Sequence, residues 1–476
     1  MKKSQIQKEK LFGTDGIRGT PGVYPLTDEM IIKIGNGIAR FITKGLSPQG
    51  IGKKVSPRGL PAGQAGTVPR IVIGKDTRLS GQQIEGLLAD AIKKWGIDVL
   101  TVGIITTPGL SFLTRDLKAD MGMMISASHN KAADNGIKFF NSKGHKLSIK
   151  EEARLEDIIF DSLTHKAKKY PQRKKGNIQI IKDAQLRYTK FLACSLKGMS
   201  LKGVRIALDC AFGAASPFAR RLFEDLGAEV FCINDRPDGE SINIGGAIDP
   251  TFLKSLVKRT KSDIGIAVDG DGDRGIIINE KAEVLDGDYT LAIIAKYLLK
   301  KNKLPKNTIV ATVMSNYGLK IAIEKSGGKI ITADVGDKFV LESLLKNKLN
   351  FGGEQSGHII FLDYLSTPDG LLTALQILKV MQETKSTLSQ LAQCITKFPQ
   401  ILLNVAVKEK MPFEEIPLLN EKVRRFNAQL KDQGRILLRY SGTERLARVM
   451  VEGRNKKQIE EIANSLAGQI RQEIGV

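Results

Sequence analysis

Apolar and polar positions along the chain form a pattern that occurs three times. Each time, a short apolar run of strand character leads into a stretch with apolar residues at helical spacing, and two more apolar runs follow. Strands are predicted at 70–74, 99–102 and 122–125, at 204–208, 230–233 and 264–268, and at 308–313, 330–332 and 350–352, with helices near 80–95, 217–226 and 317–325. This alternation predicts three related α/β domains with mixed, largely parallel sheets.

The tail of the chain has a different pattern. From about residue 400, runs of alternating apolar residues flank a helical segment, which predicts a smaller fourth domain of the α+β class. The predicted domains therefore span residues 10–165, 183–283, 284–393 and 400–473.

Two further segments are predicted to be connectors or additions. Residues 161–180 are basic and polar, as expected of a link between domains. Residues 45–69 are rich in Gly and Pro and contain no acidic residue or long apolar run. Such a composition buries too little surface to offset the entropy of ordering, so this insertion is predicted to be a mobile loop.

Composition limits the class of protein. A chain of 476 residues exceeds a single hydrophobic core, which stops growing at about 250–300 residues. No run approaches the roughly 20 apolar residues of a membrane span. The four cysteines form no CxxC pair and no secretory leader is recognisable at the N-terminus, so a reducing cytoplasm is expected. The net charge of +22 favours anionic partners, either small phosphates or nucleic acid.

The third apolar run of each repeat ends in a polar loop that contains glycine. These loops read SASHNKAADNGIK, DGDGDR and GGEQSGH. Because ligand sites of α/β domains lie beyond the carboxyl ends of the strands, the three loops are expected to converge on one cleft.

The acidic loop carries carboxylates at Asp269, Asp271 and Asp273, with a glycine after each of the first two. The glycines permit a tight turn that aims all three carboxylates at one point, and hard oxygen ligands suit Mg²⁺. An EF-hand is excluded because Arg274 takes the place of its invariant glycine and residues 275–278 read as a strand. An acidic turn that merely solvates a strand end is disfavoured, since close carboxylates repel without a cation.

The first loop places Ser128 beside His129. A serine next to a histidine suggests a nucleophile, but neighbours on an extended chain point to opposite sides, which argues against His129 as its base. Lys138 follows and could supply positive charge to a phosphate. Taken alone this loop reads as a polar turn, and its coincidence with the acidic loop favours a site.

The other two loops match the groups of a phosphorylated sugar. Glu354, Ser356 and His358 stand at alternate positions, so they can face one side of a loop and bind sugar hydroxyls, and His358 can also transfer a proton. A hydrogen-bonded turn with a surface histidine explains the same residues. A second group resembles an anion cradle with guanidinium forks, hydroxyls and free backbone N–H groups, although an ordinary turn is the alternative; its residues are Arg439, Ser441, Gly442, Thr443 and Arg448.

Taken together, these loops resemble the α-D-phosphohexomutases. The matching motifs occur in family order from Leu11 to about Gly453 and read LFGTDGIRG, GKDTRLSG, ISASHN with DNGIKFF, DGDGDR, GGEQSGH and RYSGTE. The GTDGIRG, SASHN and EQSGH forms resemble those of the bacterial phosphoglucosamine mutases within that superfamily. The resemblance implies a heart-shaped enzyme of four domains around a central cleft, which interconverts glucosamine 6-phosphate and glucosamine 1-phosphate for cell-wall precursor synthesis.

By the same resemblance, Ser128 is the phosphoserine that carries the transferred group and ligates one Mg²⁺ together with Asp269, Asp271 and Asp273. Cationic residues would surround the transferring phosphate, namely Arg18, Lys138 and Arg274. Lys138 and His358 would be the proton-transfer candidates.

For the substrate, the resemblance implies that Glu354 and Ser356 bind sugar hydroxyls. The non-reacting phosphate would be held by Arg439, Ser441, Gly442 and Thr443. A glucosamine or glucose 1,6-bisphosphate would act as activator. The expected partner is a small phosphosugar, with no nucleic acid and no membrane, and a homodimer is a possible assembly.

The sequence departs from the family pattern at three loop positions. Lys131 and Arg445 stand where the family has proline, and Lys338 stands where it has arginine. Phe212 also interrupts a turn that is usually polar, and the family's CGS reads GGA at 245–247. None of these changes removes a group implied in the chemistry.

Three alternatives remain at this stage. A phosphomannomutase or phosphoglucomutase of the same superfamily would act on sugars with a hydroxyl at C2. A metal-dependent phosphatase would use an aspartyl nucleophile and release phosphate, leaving Ser128 dispensable. A basic nucleic-acid-binding protein would explain the charge, but the chain has one Trp and no basic run interleaved with aromatics.

Overall fold

A computed structural model describes residues 10–13, 15–45, 68–164, 174–441 and 444–476. The predicted mobile loop at 45–69 lies almost wholly outside the described residues. The chain forms two compact units. The first unit comprises Met1–Val313 and Ile331–Ala392, and the second comprises Met314–Ile330 and Gln393–Val476.

The first sheet of the larger unit has six strands in the order β1-β5-β4-β2-β3-β6. Its strands are β1 (Ile17–Gly19), β2 (Arg70–Lys75), β3 (Asp98–Ile104), β4 (Met121–Ile125), β5 (Asn135–Asn141) and β6 (Ile178–Ile180). The helices of this region are α1 (Asp28–Gly45), α2 (Gly81–Lys93), α3 (Thr107–Asp116), α4 (Ile149–Thr164) and α5 (Ala184–Cys194). Strand β4 pairs parallel with β2 and antiparallel with β5. All five of its residues are buried, which explains its continuous apolar sequence.

The second sheet has five strands in the order β11-β10-β9-β7-β8, and its strands β7, β8 and β9 are parallel. Its strands are β7 (Arg205–Asp209), β8 (Glu229–Ile233), β9 (Ile264–Val268), β10 (Gly275–Asn279) and β11 (Val284–Leu285), with helices α6 (Ala219–Asp225) and α7 (Thr251–Thr260). Strand β9 is entirely buried, and the acidic loop leaves its carboxyl end and returns as antiparallel β10.

The third sheet has four strands in the order β13-β12-β14-β15. Its strands are β12 (Thr308–Thr312), β13 (Lys329–Ala333), β14 (Phe351–Gly353) and β15 (Ile359–Phe361), and the helices of this stretch are α8 (Gly287–Lys300), α9 (Tyr317–Lys325), α10 (Asp337–Asn347), α11 (Gly370–Thr384) and α12 (Leu388–Ala392). Helix α11 begins at a strong cap, because the Asp369 carboxylate accepts from the backbone N–H groups of Leu371 and Leu372, both at 3.0 Å.

The smaller unit is built on an antiparallel sheet of three strands in the order β16-β18-β17. Its elements are β16 (Gln400–Ala406), α13 (Pro417–Leu430), β17 (Gly434–Tyr440), β18 (Leu446–Gly453) and α14 (Lys456–Ile474). Helix α9 belongs to this unit although it lies far earlier in the chain. The link is the buried Glu452 carboxylate, which accepts from Asn316 Nδ2 and from the Tyr317 N–H, both at 3.2 Å.

The predicted fold class is confirmed. Mixed α/β sheets precede a small C-terminal domain with an antiparallel sheet, and each strand predicted from the apolar runs is present with bounds that differ by at most two residues. Of the basic link predicted at 161–180, the first residues complete α4 and the last form the edge strand β6, while 165–173 lie outside the described residues. Among the described residues, no helix has both the length and the apolar character needed to cross a membrane.

Candidate active site

The acidic loop forms a buried cluster of carboxylates. Asp269, Asp271 and Asp273 are each at most 1% exposed, and one ligand oxygen of each lies within 4.8 Å of the others. The tight turn requires glycine at Gly272, where φ is +71° and a Cβ would lie 2.6 Å from the Thr106 side chain. Burial together with the carboxylates of Asp273 and Asp271 raises the pKa of Asp269 to about 7.

Lys138 lies within this cluster of negative charge. Its Nζ is 2.8 Å from Asp271, 3.2 Å from Asp273 and 2.9 Å from Asp15. Burial acts to lower its pKa, but the carboxylates of Asp15, Asp271 and Asp273 raise that pKa well above the ordinary value. The surrounding carboxylates therefore favour the charged form of Lys138.

Asp15 connects several cations to the cluster. Its carboxylate pairs with Lys138, with Arg18 and, at 2.6 Å, with Lys146. Although burial acts to raise its pKa, Lys138, Lys146 and Arg18 hold the pKa of Asp15 well below its ordinary value. Arg18 also donates to Asn130 Oδ1 at 3.1 Å, which joins the first motif of the chain to the serine loop.

Ser128 faces the acidic loop. Its Oγ lies 3.2 Å from Asp269 Oδ2, and its backbone has a φ of +53°. The chain is therefore not extended here, and the two neighbouring side chains do not point to opposite sides as predicted, because His129 Nδ1 lies 3.4 Å from Ser128 Oγ. Burial, with the positive charges of Arg274 and Arg18, lowers the pKa of His129 to about 4.

The third loop supplies a histidine between two carboxylates. His358 Nδ1 is 2.7 Å from Glu354 Oε2, and its Nε2 is 3.0 Å from Asp273 Oδ1. Although burial acts to lower it, the Asp273 carboxylate and the hydrogen bond to Glu354 raise the pKa of His358 to about 10. Ionised carboxylates only accept, so both ring nitrogens donate. Arg274 lies alongside, with Nε 3.2 Å from His358 Nε2.

Ser356, the remaining residue of this loop, is exposed, and its Oγ is 3.5 Å from His358 Nδ1. The structure therefore brings together nine of the predicted residues in the larger unit: Arg18, Ser128, Lys138, Asp269, Asp271, Asp273, Arg274, Glu354 and His358. Ser356 lies at the margin of this group.

The predicted anion cradle lies in the smaller unit. Arg439 and Arg448 are directly opposed on β17 and β18, and burial with the charge of Arg448 lowers the pKa of Arg439. Like charges directly opposite destabilise a sheet, so this pair favours a nearby anion, and the Glu444 carboxylate lies 3.6 Å from Arg448 Nη2. Arg448 Nη2 also lies 3.4 Å from Ser441 Oγ, whereas Gly442 and Thr443 lie outside the described residues.

The carboxylate cluster fits a hard divalent cation. Three buried carboxylates supply only oxygen donors, and Asp271 Oδ1 is buried with no hydrogen-bond partner. A cation would be stabilised next to this oxygen, because it is a buried acceptor without a hydrogen-bond partner and lies beside two other carboxylates. Ser128 Oγ lies close enough to Asp269 for an oxygen on that serine to complete the ligand set.

Sequence reasoning missed three residues that the structure adds to this region. Asp15 and Lys146 form the ion pairs described above, and Thr107 donates its N–H to the Asp271 carbonyl at 2.8 Å and its hydroxyl to the Asp271 side chain. Asp15 belongs to the LFGTDGIRG motif, and an acidic residue in a motif of the family is a candidate partner for a cation such as Lys138. No local signal marks Thr107, which is the first residue of α3 and follows the N-cap Thr106.

Comparison with known proteins places this site in a family. Four family models match in order along the chain: phosphoglucomutase/phosphomannomutase alpha/beta/alpha domain I at residues 9–166, domain II at 187–282, domain III at 286–398, and the C-terminal domain at 402–469. The site residues described above fall within the matched segments.

Curated relatives extend over nearly the full chain. The phosphoglucosamine mutase of Geobacter metallireducens is 46% identical over 98% of this chain and 99% of its own length. That of Chlamydia abortus is 44% identical, with 98% of both chains covered.

Solved structures agree on the fold. A phosphoglucomutase/phosphomannomutase family protein from Burkholderia thailandensis has a TM-score of 0.78 at 22% identity and covers 98% of this chain and 99% of its own. N-acetylphosphoglucosamine mutase of Aspergillus fumigatus, solved with GlcNAc-6P and magnesium, has a TM-score of 0.66 at 18% identity and covers 97% and 95%. On its matched domains and its full-length identity to these relatives, the chain belongs to the phosphoglucomutase/phosphomannomutase family and groups with its phosphoglucosamine mutases.

Proposed function

We propose that the protein is a phosphoglucosamine mutase, an isomerase that interconverts glucosamine 6-phosphate and glucosamine 1-phosphate through a phosphoserine at Ser128. The observation that carries the proposal is the position of Ser128 Oγ, 3.2 Å from Asp269 in a buried triad of carboxylates within a chain 46% identical to such enzymes. The product would feed cell-wall precursor synthesis, and the free cysteines suit the cytoplasm.

The proposed metal is one Mg²⁺, held by Asp269, Asp271, Asp273 and an oxygen on Ser128. When bound, it would neutralise negative charge on the phosphate oxygens. A divalent metal is consistent with the oxygen-only donor set and with the family's Asp-rich site.

The chain's own residues would align and neutralise the transferring group, which is most of what phosphoryl transfer requires. In the first step the phosphorus–oxygen bond to Ser128 breaks as the C1 hydroxyl oxygen of glucosamine 6-phosphate bonds to phosphorus. That hydroxyl loses a proton, and the serine oxygen regains one. In the second step the 1,6-bisphosphate returns its other phosphate to Ser128, so the same bisphosphate serves as activator.

Within these steps we assign Arg18, Lys138 and Arg274 to the charge of the transferring phosphate. The two carboxylates raise the pKa of His358 and so favour its protonated form, which suits it to donate a proton. Lys138 holds its proton firmly, and this supports charge neutralisation more strongly than proton transfer. Glu354 and Ser356 would bind sugar hydroxyls. The phosphate that does not react in a given step would be bound by Arg439, Ser441, Gly442, Thr443 and Arg448.

A side-by-side assay of glucosamine, glucose and mannose 6-phosphates tests the proposal. With Mg²⁺ and a catalytic amount of the 1,6-bisphosphate, conversion to the 1-phosphate should be fastest for glucosamine 6-phosphate. Faster turnover of the glucose or mannose compound would assign the chain to another mutase of the family. Release of inorganic phosphate without isomerisation would reject a mutase.

A further inference from the structure

The loop that carries Ser128 is held by two side chains that have no part in the chemistry proposed so far, Arg78 and Asn243. We propose that Arg78 and Asn243 are positioning residues, which fix the Ser128 peptide and set its register against the acidic loop. The inference rests on the proposed function, because it concerns the alignment of the phosphoryl group on Ser128.

Arg78 binds the serine loop through four backbone carbonyl oxygens. Its guanidinium is buried and donates to the carbonyls of Ser128 and Asn130, both at 2.9 Å, to that of Asp134 at 2.7 Å, and to that of Lys131. One planar fork with several fixed donors can satisfy four acceptors at once, whereas a lysine in its place could not. The conformation of the whole loop therefore depends on the orientation of this side chain.

Asp76 fixes that orientation from the other side. Its carboxylate accepts from Arg78 Nε and from the Arg78 backbone N–H, both at 3.0 Å, and both side chains are fully buried. Breaking such a buried pair leaves an uncompensated charge, so the guanidinium has no alternative position of similar energy.

Asn243 joins the same carbonyls to the acidic loop. Its Nδ2 donates to the Ser128 carbonyl at 2.8 Å and to the Asn130 carbonyl at 2.9 Å, while its Oδ1 accepts from the Gly270 N–H at 2.7 Å. The two carbonyls need a donor and the N–H needs an acceptor, so the amide can point only one way. Gly270 stands between two of the metal-binding aspartates and approaches so closely that a Cβ would lie 2.9 Å from the Asn243 amide.

The held peptide has an unfavourable backbone. Ser128 has a φ of +53°, a region that non-glycine residues avoid and that persists where surroundings over-determine it. Its carbonyl oxygen accepts hydrogen bonds from both Arg78 and Asn243, and its N–H donates to Ser126 Oγ at 2.9 Å. Because the peptide is fixed at both ends, the direction of the Oγ toward Asp269 is fixed too. The strained conformation of Ser128 thus directs its Oγ, which carries the phosphoryl group, toward the acidic loop.

The test uses protein phosphorylated on Ser128 and mixed with glucosamine 6-phosphate in a rapid-quench single turnover. Asn243→Gly removes the side chain without straining a residue whose φ is +70°. The transfer rate should fall about 100-fold while the half-saturating sugar phosphate concentration stays within about threefold of wild type. Arg78→Lys keeps the charge but loses the fork, and should lower the same rate at least about tenfold.

Asn234→Gly is the matched control. Asn234 also has a positive φ, of +52°, and its side chain binds Asp209 and the Ile244 carbonyl but neither loop. It should retain the wild-type transfer rate. Amide hydrogen exchange of residues 126–134 and 269–274 gives a second readout, since Asn243→Gly should speed exchange in both segments and Asn234→Gly in neither.

The results distinguish failure of the positioning role from failure of the proposed function. An active wild-type phosphoenzyme with an Asn243→Gly rate within about threefold of wild type would overturn the positioning role alone, whatever the exchange data show. So would a loss confined to sugar affinity. A wild-type phosphoenzyme that transfers nothing to any hexose phosphate would overturn the proposed function and this inference with it.

Discussion

Replacement of Lys138 by methionine would test the balance of charge at the carboxylate cluster. The variant keeps the length of the side chain but removes a cation that lies within 3.2 Å of three carboxylates. Removal of one partner from a buried ion pair costs about 3–5 kcal/mol, because the other charge is left uncompensated. For a cooperative unit of this size, that loss lowers the thermal midpoint by about 4–6 °C.

The assay is thermal unfolding in EDTA and again with excess Mg²⁺. A divalent cation would restore neutralisation at Asp271 and Asp273, so Mg²⁺ should raise the midpoint of Lys138→Met more than that of wild type. Lys379→Met is the control, since Lys379 is 9% exposed and burial lowers its pKa. Its loss should leave the midpoint unchanged or higher. A Lys138→Met midpoint within about 2 °C of wild type in EDTA would refute the reasoning.

Four further outcomes are expected. Ser128→Ala should fold normally but lose mutase turnover and the single phosphate seen by intact-mass analysis; retained activity would reject the phosphoserine route. Asp271→Asn should lower the rate by orders of magnitude and weaken the Mg²⁺ dependence. Activity of the wild-type enzyme that is undiminished in EDTA would contradict this prediction. Burial raises the pKa of Asp369 from 3.8 to about 6, so the unfolded chain ionises first and stability falls by about 2 kcal/mol as pH rises from 4 to 6. Asp369→Asn should remove this contribution to the pH dependence of the free energy of unfolding, measured by denaturant titration. An unchanged pH dependence would contradict the prediction. Phe212 has a φ of +53°, which asparagine tolerates better than phenylalanine, so Phe212→Asn should raise the free energy of unfolding by about 1 kcal/mol. A lower free energy of unfolding would show that packing of the Phe212 ring outweighs the backbone strain.

Sequence patterns predicted what depends on local composition. Strand β9 and the DGDGDR loop could be placed because an entirely apolar run meets alternating carboxylates and glycines. The edge strand β6 was missed, since its three residues are all exposed and follow a basic stretch. The conformation of Ser128 could not be predicted either, because a positive φ at serine is imposed by Arg78 and Asn243 from distant parts of the chain.

Placement of helix α9 in the smaller unit affects how that unit can be made. Residues 314–330 leave the ribosome well before the sheet of β16, β17 and β18 exists. At about 5–20 residues per second, synthesis needs on the order of ten seconds to proceed from α9 to Glu452. During that interval Asn316 and Tyr317 lack the carboxylate they bind in the folded protein. The C-terminal unit can therefore be completed only when the last part of the chain has been translated, and a fragment that starts at Gln393 would bury Glu452 without two of its donors.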